Sequence, residues 1–250
     1  MPEPFDKFFV AGGAVLYASG YGDDDSYLFD FDELEWQAVT NKIPNRGIAS
    51  ISVWDPVSET VFHHNAAGGS FMSQFNPKTN TWISRGRPGI ENEGWIHYQW
   101  SGTIDPIRRK FVAIGNGNVY LWDLTSEGNL KHTKLETSGD KEILDARKPG
   151  IAYDQALDKI VAWDGGADVY TLDLDSAVWS RISPASTNTV TPSVANENGT
   201  YGRFRYIPSK NAYIVVNKKN KNVYFFRLSS SPVPTNPVKP ATPVSNKNNL

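Results

Sequence analysis

The chain consists of short segments in which apolar and polar residues alternate. These segments are rich in Val, Ile, Tyr, Phe and Trp, and clusters of Gly, Asn, Asp and Pro separate them. Alternation with a period of two is typical of β-strands that bury one face. No stretch of ten or more residues has the period of an amphipathic helix. The pattern therefore predicts an all-β protein built from many short strands.

The strand pattern repeats along the chain. Segments 53–76, 103–123 and 152–173 share an Asp, a polar turn, a β-branched or aromatic strand, a second turn and another aromatic strand. Two further copies lie at 15–36 and 205–228. About four short strands in each unit of roughly 50 residues are typical of β-propeller blades. A β-sandwich is the competing architecture, but it would not return the same residues at fixed intervals.

Two kinds of landmark residue recur in the units. Asp55, Asp105 and Asp154 are spaced by 50 and 49 residues. A Trp also follows an Asp or Asn by six residues, in the pairs Asp30 and Trp36, Asn76 and Trp82, and Asp173 and Trp179. An Asp or Asn at the head of a tight turn accepts hydrogen bonds from its own backbone. We therefore expect the three Trp residues to occupy equivalent blade positions, while the unit of Asp123 departs from the pattern, with Asn129-Leu130 where a Trp is expected.

These motifs resemble the kelch-repeat, galactose-oxidase-like β-propellers of the bacterial secreted or surface type. The resemblance rests on the Asp turns, on Gly68-Gly69 and Gly165-Gly166, and on the pattern V-Y-x-x-D-x-x-x-x-x-W from Val169 to Trp179. It implies an all-β, kelch-like propeller of about five four-stranded blades over residues 1–228. The repeats lie near 8–40, 46–84, 96–135, 148–183 and 201–228.

The two ends of the repeat array need separate interpretations. The last unit stops after its third strand, and an open propeller would leave an unpaired edge. Either Phe5–Val10 supplies the missing strand and closes a five-bladed ring, which we favour, or the chain is a fragment of a larger ring. Residues 229–250 contain five prolines and no aromatic residue, which predicts a linker to another module. This stalk-like composition favours an extracellular or cell-surface location, although the given chain shows no signal peptide.

Composition narrows the function classes. Lys and Arg number 25 against 27 Asp and Glu, so the chain as a whole has no charge attraction for nucleic acid. Its apolar runs are too short for a membrane span. The absence of Cys excludes disulfides, zinc–thiolate sites and cysteine nucleophiles. We expect a monomer without metal or cofactor that binds a glycan or a protein.

The candidate binding residues lie in the loops at one mouth of the propeller channel, which we call the loop face. It comprises the loops that enter each first strand and those that join second to third strands. The candidate ligand-binding residues there are Arg46, Trp95, His97, Tyr98, Arg147, Tyr201 and Arg203, with Asp23, Asp24, Asp25, Asp164 and Asp168 nearby. Aromatic rings contact the apolar face of a sugar, and guanidinium and carboxylate groups bond its hydroxyls. The alternative interpretation is that these aromatics pack the blades and the arginines cover the rim.

Three functions remain open. The first is a non-catalytic binding propeller that recognises a glycan or protein through the loop face, because the sequence has none of the common catalytic motifs. The second is a carbohydrate-active hydrolase or lyase, which needs two carboxylates, or a Tyr or His base beside an Arg. The third is a structural spacer. The resemblance to galactose-oxidase-like propellers also implies copper-radical oxidation. That activity requires a cysteine bonded to a tyrosine, and it is disfavoured because the chain has no cysteine.

Overall fold

A computed structural model describes residues 7–13, 23–44, 50–65, 71–86, 100–197 and 199–228. Within these ranges the chain forms nineteen β-strands, and its helices are single 3-10 turns at 142–145, 201–203 and 208–210. None of the described helices has the length and apolar character needed to cross a membrane.

The strands form five sheets in chain order. The first contains β1 (Lys7–Gly13), β2 (Asp23–Asp30) and β3 (Glu35–Ala38). The second contains β4 (Ser50–Asp55), β5 (Thr60–Asn65), β6 (Phe71–Asn76) and β7 (Thr81–Ser84). The third contains β8 (Ser101–Asp105), β9 (Lys110–Gly115), β10 (Asn118–Asp123) and β11 (His132–Lys134).

The fourth and fifth sheets complete the described fold. The fourth contains β13 (Gly150–Asp154), β14 (Lys159–Trp163), β15 (Val169–Asp173) and β16 (Val178–Ile182), and β12 (Ser138–Gly139) adds a parallel edge beside β16. The fifth contains β17 (Phe204–Ile207), β18 (Ala212–Val215) and β19 (Tyr224–Phe226). Apart from β12, neighbouring strands in every sheet are antiparallel and consecutive in sequence.

The sheets are the blades of a β-propeller. The first strands β4, β8, β13 and β17 lie side by side in that order, so the last four sheets follow one another around a common axis. The first sheet packs against the second through Leu28, Ile43 and Trp82. This confirms the all-β propeller that the repeats predicted. The first sheet has three strands in the described ranges, where four were expected, and the last sheet has the three strands that its repeat unit predicted.

The expectation that Phe5–Val10 completes the last blade is wrong for the described part of that segment. Lys7–Gly13 pairs with β2, where Phe8 lies opposite Phe29 and Val10 opposite Tyr27. Consecutive antiparallel strands pair through a short connection at little entropic cost, and this local pairing makes the segment the first strand of its own sheet.

The recurring Asp residues build the turns between first and second strands. Asp55 is fully buried, and its carboxylate accepts hydrogen bonds from the backbone N–H groups of Val57 (3.1 Å) and Ser58 (3.2 Å). The carboxylates of Asp105 and Asp154 likewise accept hydrogen bonds from the backbone N–H groups two and three residues further along the chain. The fourth residue after each Asp has a positive φ near 53–54°, at Glu59, Arg109 and Asp158. This left-handed residue turns the chain back into the second strand.

The recurring Trp residues occupy equivalent positions, as predicted, but they are not equally buried. Trp36, Trp82 and Trp179 lie opposite Phe29, Phe75 and Leu172 in the same register. Trp82 and Trp179 are 3% and 1% exposed, whereas Trp36 is 55% exposed. Trp36 is exposed because every residue of its strand β3 lies exposed at a sheet edge.

The third sheet replaces this Trp with His132. Nine residues separate Asp123 from His132, against six between Asp and Trp elsewhere, and His132 pairs with Trp122. The longer turn carries Leu130 into the core, where it is 1% exposed. The expectation that Asn129-Leu130 replaces the Trp is wrong in register, because the added turn residues shift the strand.

His63 makes stability sensitive to mild acid. It lies on the fully buried strand β5, 2.8 Å from Ser52 Oγ through Nδ1, and its ring contacts Trp82. Burial lowers the pKa of His63 to about 4, so the folded state keeps it neutral. An unfolded His takes up a proton near pH 6.5, so its contribution is complete above that pH and is lost as pH falls toward 4.

We therefore expect wild-type protein to lose roughly 3 kcal/mol of unfolding free energy from this residue between pH 7 and pH 4, which follows from the difference between the two pKa values. His63→Gln should lose correspondingly less over the same interval. Urea unfolding of both proteins at pH 7.0, 5.5 and 4.5 measures the difference. Parallel pH dependence of the two proteins would show that His63 is not the responsible group.

Candidate functional site

The structure describes three of the seven predicted ligand-binding residues. Arg147, Tyr201 and Arg203 belong to the loops that enter β13 and β17. Arg46, Trp95, His97 and Tyr98 lie outside the described residues, and so do the side chains of Asp23 and Asp24. Asp164 and Asp168 lie in the loop between β14 and β15, while Asp25 is part of β2, in the first sheet.

A close backbone contact joins the loops entering β13 and β17. The N–H of Thr200 donates to the carbonyl of Lys148 at 2.8 Å. Gly199 allows this approach because its φ is +91° and a Cβ there would lie 2.5 Å from Lys148 Cβ. Residues 147–148 and 199–203 therefore form one continuous surface on the loop face.

Two cations are held on this surface by neutral groups. Lys148 is 7% exposed, its ammonium donates a hydrogen bond to the Tyr201 hydroxyl, and Nζ lies 4.6 Å from the centre of that ring. Arg203 donates from Nε to the Thr200 carbonyl at 3.1 Å and from Nη2 to the Gly199 carbonyl. Tyr201 and Arg203 were predicted from the sequence, whereas Lys148 was missed. A single Lys in a polar loop gives no signal that distinguishes it from a solvated one.

Arg205 adds a third cation at the start of β17. A Cβ on Gly202 would lie 2.8 Å from its Nη2, so the guanidinium lies against the backbone of the 201–203 turn. Burial lowers the pKa of Arg205. We call Arg147, Lys148, Arg203 and Arg205 the cationic cluster. Among the residues that the structure describes, no carboxylate forms an ion pair with any of the four.

A cavity of about 560 Å³ opens between the fourth and fifth sheets. Tyr224, Phe225 and Phe226 supply aromatic side chains to its lining, the fully buried Trp163 also borders it, and residues 182–192 cover one side. Trp163 donates from Nε1 to the Gly166 carbonyl at 3.0 Å, and its ring is parallel to that of Phe204 with centroids 6.3 Å apart. Ser183, Asn188 and Arg227 add polar groups to the lining. The sequence analysis missed this cavity, because aromatics at alternate strand positions look like core.

The loop that covers the cavity is fixed at its far end. Asn217 Nδ2 donates to the carbonyls of Ser193 (3.0 Å) and Val194 (2.8 Å) and to Ser193 Oγ (2.8 Å). Val194 also forms a β-bridge with Gly165, whose φ is +97° and whose Cβ, if present, would lie 2.5 Å from the backbone of Ala195. The covering loop is therefore held to loops of both adjacent sheets.

Carboxylates line a separate shallow depression of about 360 Å³. Glu142, Asp145, Asp164 and Asp168 surround it together with Tyr170. Burial raises the pKa of Asp164, whereas the hydrogen bonds from Arg181 hold the pKa of Asp168 below its ordinary value. Within the described ranges, no group of three or more His, Asp or Glu side chains is placed to hold a metal ion.

Comparison with known proteins supports the fold. No protein-family model matches the sequence, and no curated protein sequence matches it. The chain is similar to the structure of YjhT, with a TM-score of 0.56 and 12% identity over 89% of this chain and 82% of that one. It is also similar to a fungal alcohol oxidase of the AA5 family in complex with copper, with a TM-score of 0.50 and 15% identity over 73% of this chain and 40% of the oxidase.

A third solved structure, TolB from Acinetobacter baumannii, has a TM-score of 0.49 and 11% identity over 88% of this chain and 51% of that one. The similarity to YjhT and to the oxidase, at 12% and 15% identity, shows a shared propeller fold. Membership of the kelch-repeat family stays a prediction.

Proposed function

We propose that this protein is a non-catalytic binding propeller that recognises a glycan through its loop face, in the cavity between the fourth and fifth sheets. The observation that carries this proposal is the aromatic lining of the cavity by Tyr224, Phe225 and Phe226. Its volume of about 560 Å³ is within the range of pockets that enclose small ligands. A binding role of this kind fits a surface-exposed module followed by the proline-rich segment 229–250.

The chemistry of the lining favours a sugar over a protein surface. Aromatic rings contact the C–H face of a pyranose, and a few polar groups at the edge bond its hydroxyls and fix its orientation. Ser183, Asn188 and Arg227 are groups of this kind in the same lining. Protein interfaces are instead broad surfaces with a central buried patch, and a concave site suits a small ring better.

The test is a glycan-array screen followed by calorimetry on the best neutral ligand. Tyr224→Ala and Phe225→Ala remove aromatic lining from the cavity, and both residues lie on the last described strand. We expect about fivefold weaker binding, because one ring contact contributes on the order of 1 kcal/mol. The matched control is Phe31→Ala, which truncates a half-exposed Phe in the first sheet. Absence of glycan binding, or equal weakening by the control, would contradict the proposal.

A hydrolase or lyase acting on a glycan is the second candidate. The observation that favours it is the depression where burial raises the pKa of Asp164 while Arg181 lowers that of Asp168. Two carboxylates with opposite shifts suit a general acid and an ionised partner. Mass spectrometry of every array ligand after incubation tests for products. Cleavage that Asp164→Asn abolishes would replace the binding proposal with this one.

A further inference from the structure

The cationic cluster differs in its partners from Arg108, Arg109 and Arg181, whereas Arg85 resembles it in donating to a backbone carbonyl, that of Ser126. Arg108, Arg109 and Arg181 each donate to carboxylates. Lys148 and Arg203 instead contact a hydroxyl and two backbone carbonyls, which accept hydrogen bonds but neutralise no charge. The cluster therefore retains its positive charge on the loop face of a chain whose net charge is −2.

Burying a cation of this cluster without an opposite charge costs free energy, and a bound anion could offset that cost. Lys148 is nearly buried, and placing a cation away from water without an opposite charge is unfavourable. The backbone contact through Gly199 also brings the loop that carries Arg147 and Lys148 against the loop that carries Arg203. A bound anion would offset the cost of desolvating Lys148.

Several donors on this surface remain available. Arg203 uses Nε and Nη2 on carbonyls, which leaves Nη1. Lys148 spends one of its three N–H groups on Tyr201. Arg205 is exposed and makes no hydrogen bond among the described residues, and the protein on one side of its guanidinium lowers its pKa. Thr200 Oγ1 is fully buried and has no partner within the described part of the chain.

We propose that the cationic cluster is an oxyanion site that binds the carboxylate or sulfate group of an acidic glycan. Arg205, two residues after the 201–203 turn, presents a planar donor pair that matches two oxygens of such a group, Arg203 adds Nη1, and Lys148 supplies a point charge. Arg147 is exposed at the rim and adds to the attraction. The inference rests on the proposed glycan recognition and names the chemical class of the glycan.

The test measures binding of inorganic sulfate, polygalacturonate, dextran sulfate and neutral dextran to wild-type protein and variants by calorimetry at fixed ionic strength. We expect Arg205→Ala to weaken sulfate and at least one acidic polymer by about tenfold or more. Lys131→Ala, which removes one exposed positive charge in the third sheet, should bind like wild type. Preference for polygalacturonate assigns a carboxylate, and preference for dextran sulfate assigns a sulfate ester.

Further variants keep the test decisive. If Arg205→Ala does not fold, Arg147→Ala replaces it, because this exposed side chain has no described contact to lose. Arg205→Lys keeps the charge but removes the planar donor pair, and it should recover only part of the affinity. The oxyanion site is overturned if acidic polymers bind no better than neutral dextran. It is also overturned if they bind Arg205→Ala and Lys131→Ala equally well. Neutral glycan binding lost only in Tyr224→Ala would then still support the cavity proposal.

Discussion

Replacing Trp179 with alanine is expected to lower the free energy of unfolding by about 3–5 kcal/mol, whereas Trp36→Ala should change it by less than about 1 kcal/mol. The two residues occupy the same register position in their sheets. Trp179 is 1% exposed within the core between the third and fourth sheets, and Trp36 is 55% exposed on an edge strand. The repeat thus provides a matched pair in which burial is the main variable.

A conservative variant separates packing from polarity at this position. The Trp179 indole N–H is buried and has no hydrogen-bond partner among the described residues. Trp179→Phe removes that unsatisfied donor and keeps most of the ring, so it should cost much less than Trp179→Ala. Chemical denaturation monitored by circular dichroism measures all three variants. Equal losses for Trp36→Ala and Trp179→Ala would show that position in the repeat, not burial, sets the contribution.

The turns of this fold could be predicted from the sequence because their chemistry is local. An Asp such as Asp55 or Asp173 bonds the N–H groups of the next few residues, so spacing alone identifies the turn. Whether a strand position is buried depends on what lies beyond the sheet. Trp36 and Trp82 share one motif, yet only Trp82 has a neighbouring sheet above it, with Ser26 Oγ 2.7 Å from its Nε1. That difference has no local signal.

The candidate site could be predicted only in part for the same reason. Tyr201 and Arg203 were identified because they lie in a loop that enters a first strand, which strand order alone determines. Lys148 was missed because it joins them through a backbone contact between two loops some fifty residues apart in sequence. Trp163 and Tyr224 were likewise indistinguishable from core aromatics until the gap between their sheets was known. The sequence identifies residue types that recognise ligands, but tertiary contacts decide which of them come together in one site.

The face opposite the loop face carries an electrostatic link between adjacent blades. Arg109, on the turn of the third sheet, donates to both oxygens of Asp55 in the second sheet at 2.6 and 2.7 Å. Arg108, its neighbour, contacts Asp175 of the fourth sheet at 2.6 and 2.7 Å. The Asp55 side chain is 0% exposed, whereas that of Asp175 is 75% exposed. One hairpin therefore makes a buried and an exposed ion pair of similar geometry.

Asp55→Asn is expected to lower the free energy of unfolding by about 3 kcal/mol, because it leaves the Arg109 charge largely buried without a counter-charge. Asp175→Asn should change it by less than about 1 kcal/mol, since water screens that pair. Burial alone would raise the pKa of Asp55, but hydrogen bonds from Arg109 and Ser58 hold it below its ordinary value. Its contribution is thus complete above about pH 4 and is lost as pH falls further.

Urea unfolding of wild type and both variants at pH 7 and pH 3 provides the measurement. The deficit of Asp55→Asn should shrink at pH 3, because Asp55 of the unfolded wild-type chain takes up a proton below about pH 4, whereas the lowered pKa keeps the folded carboxylate ionised to lower pH. Asp55→Ala with Arg109→Met, compared with each single change, isolates the coupling energy of the pair. A coupling energy near zero, or equal losses for Asp55→Asn and Asp175→Asn, would contradict the prediction. The contribution of Asp55 to stability would then come from its turn hydrogen bonds to Val57 and Ser58 and not from the ion pair between blades.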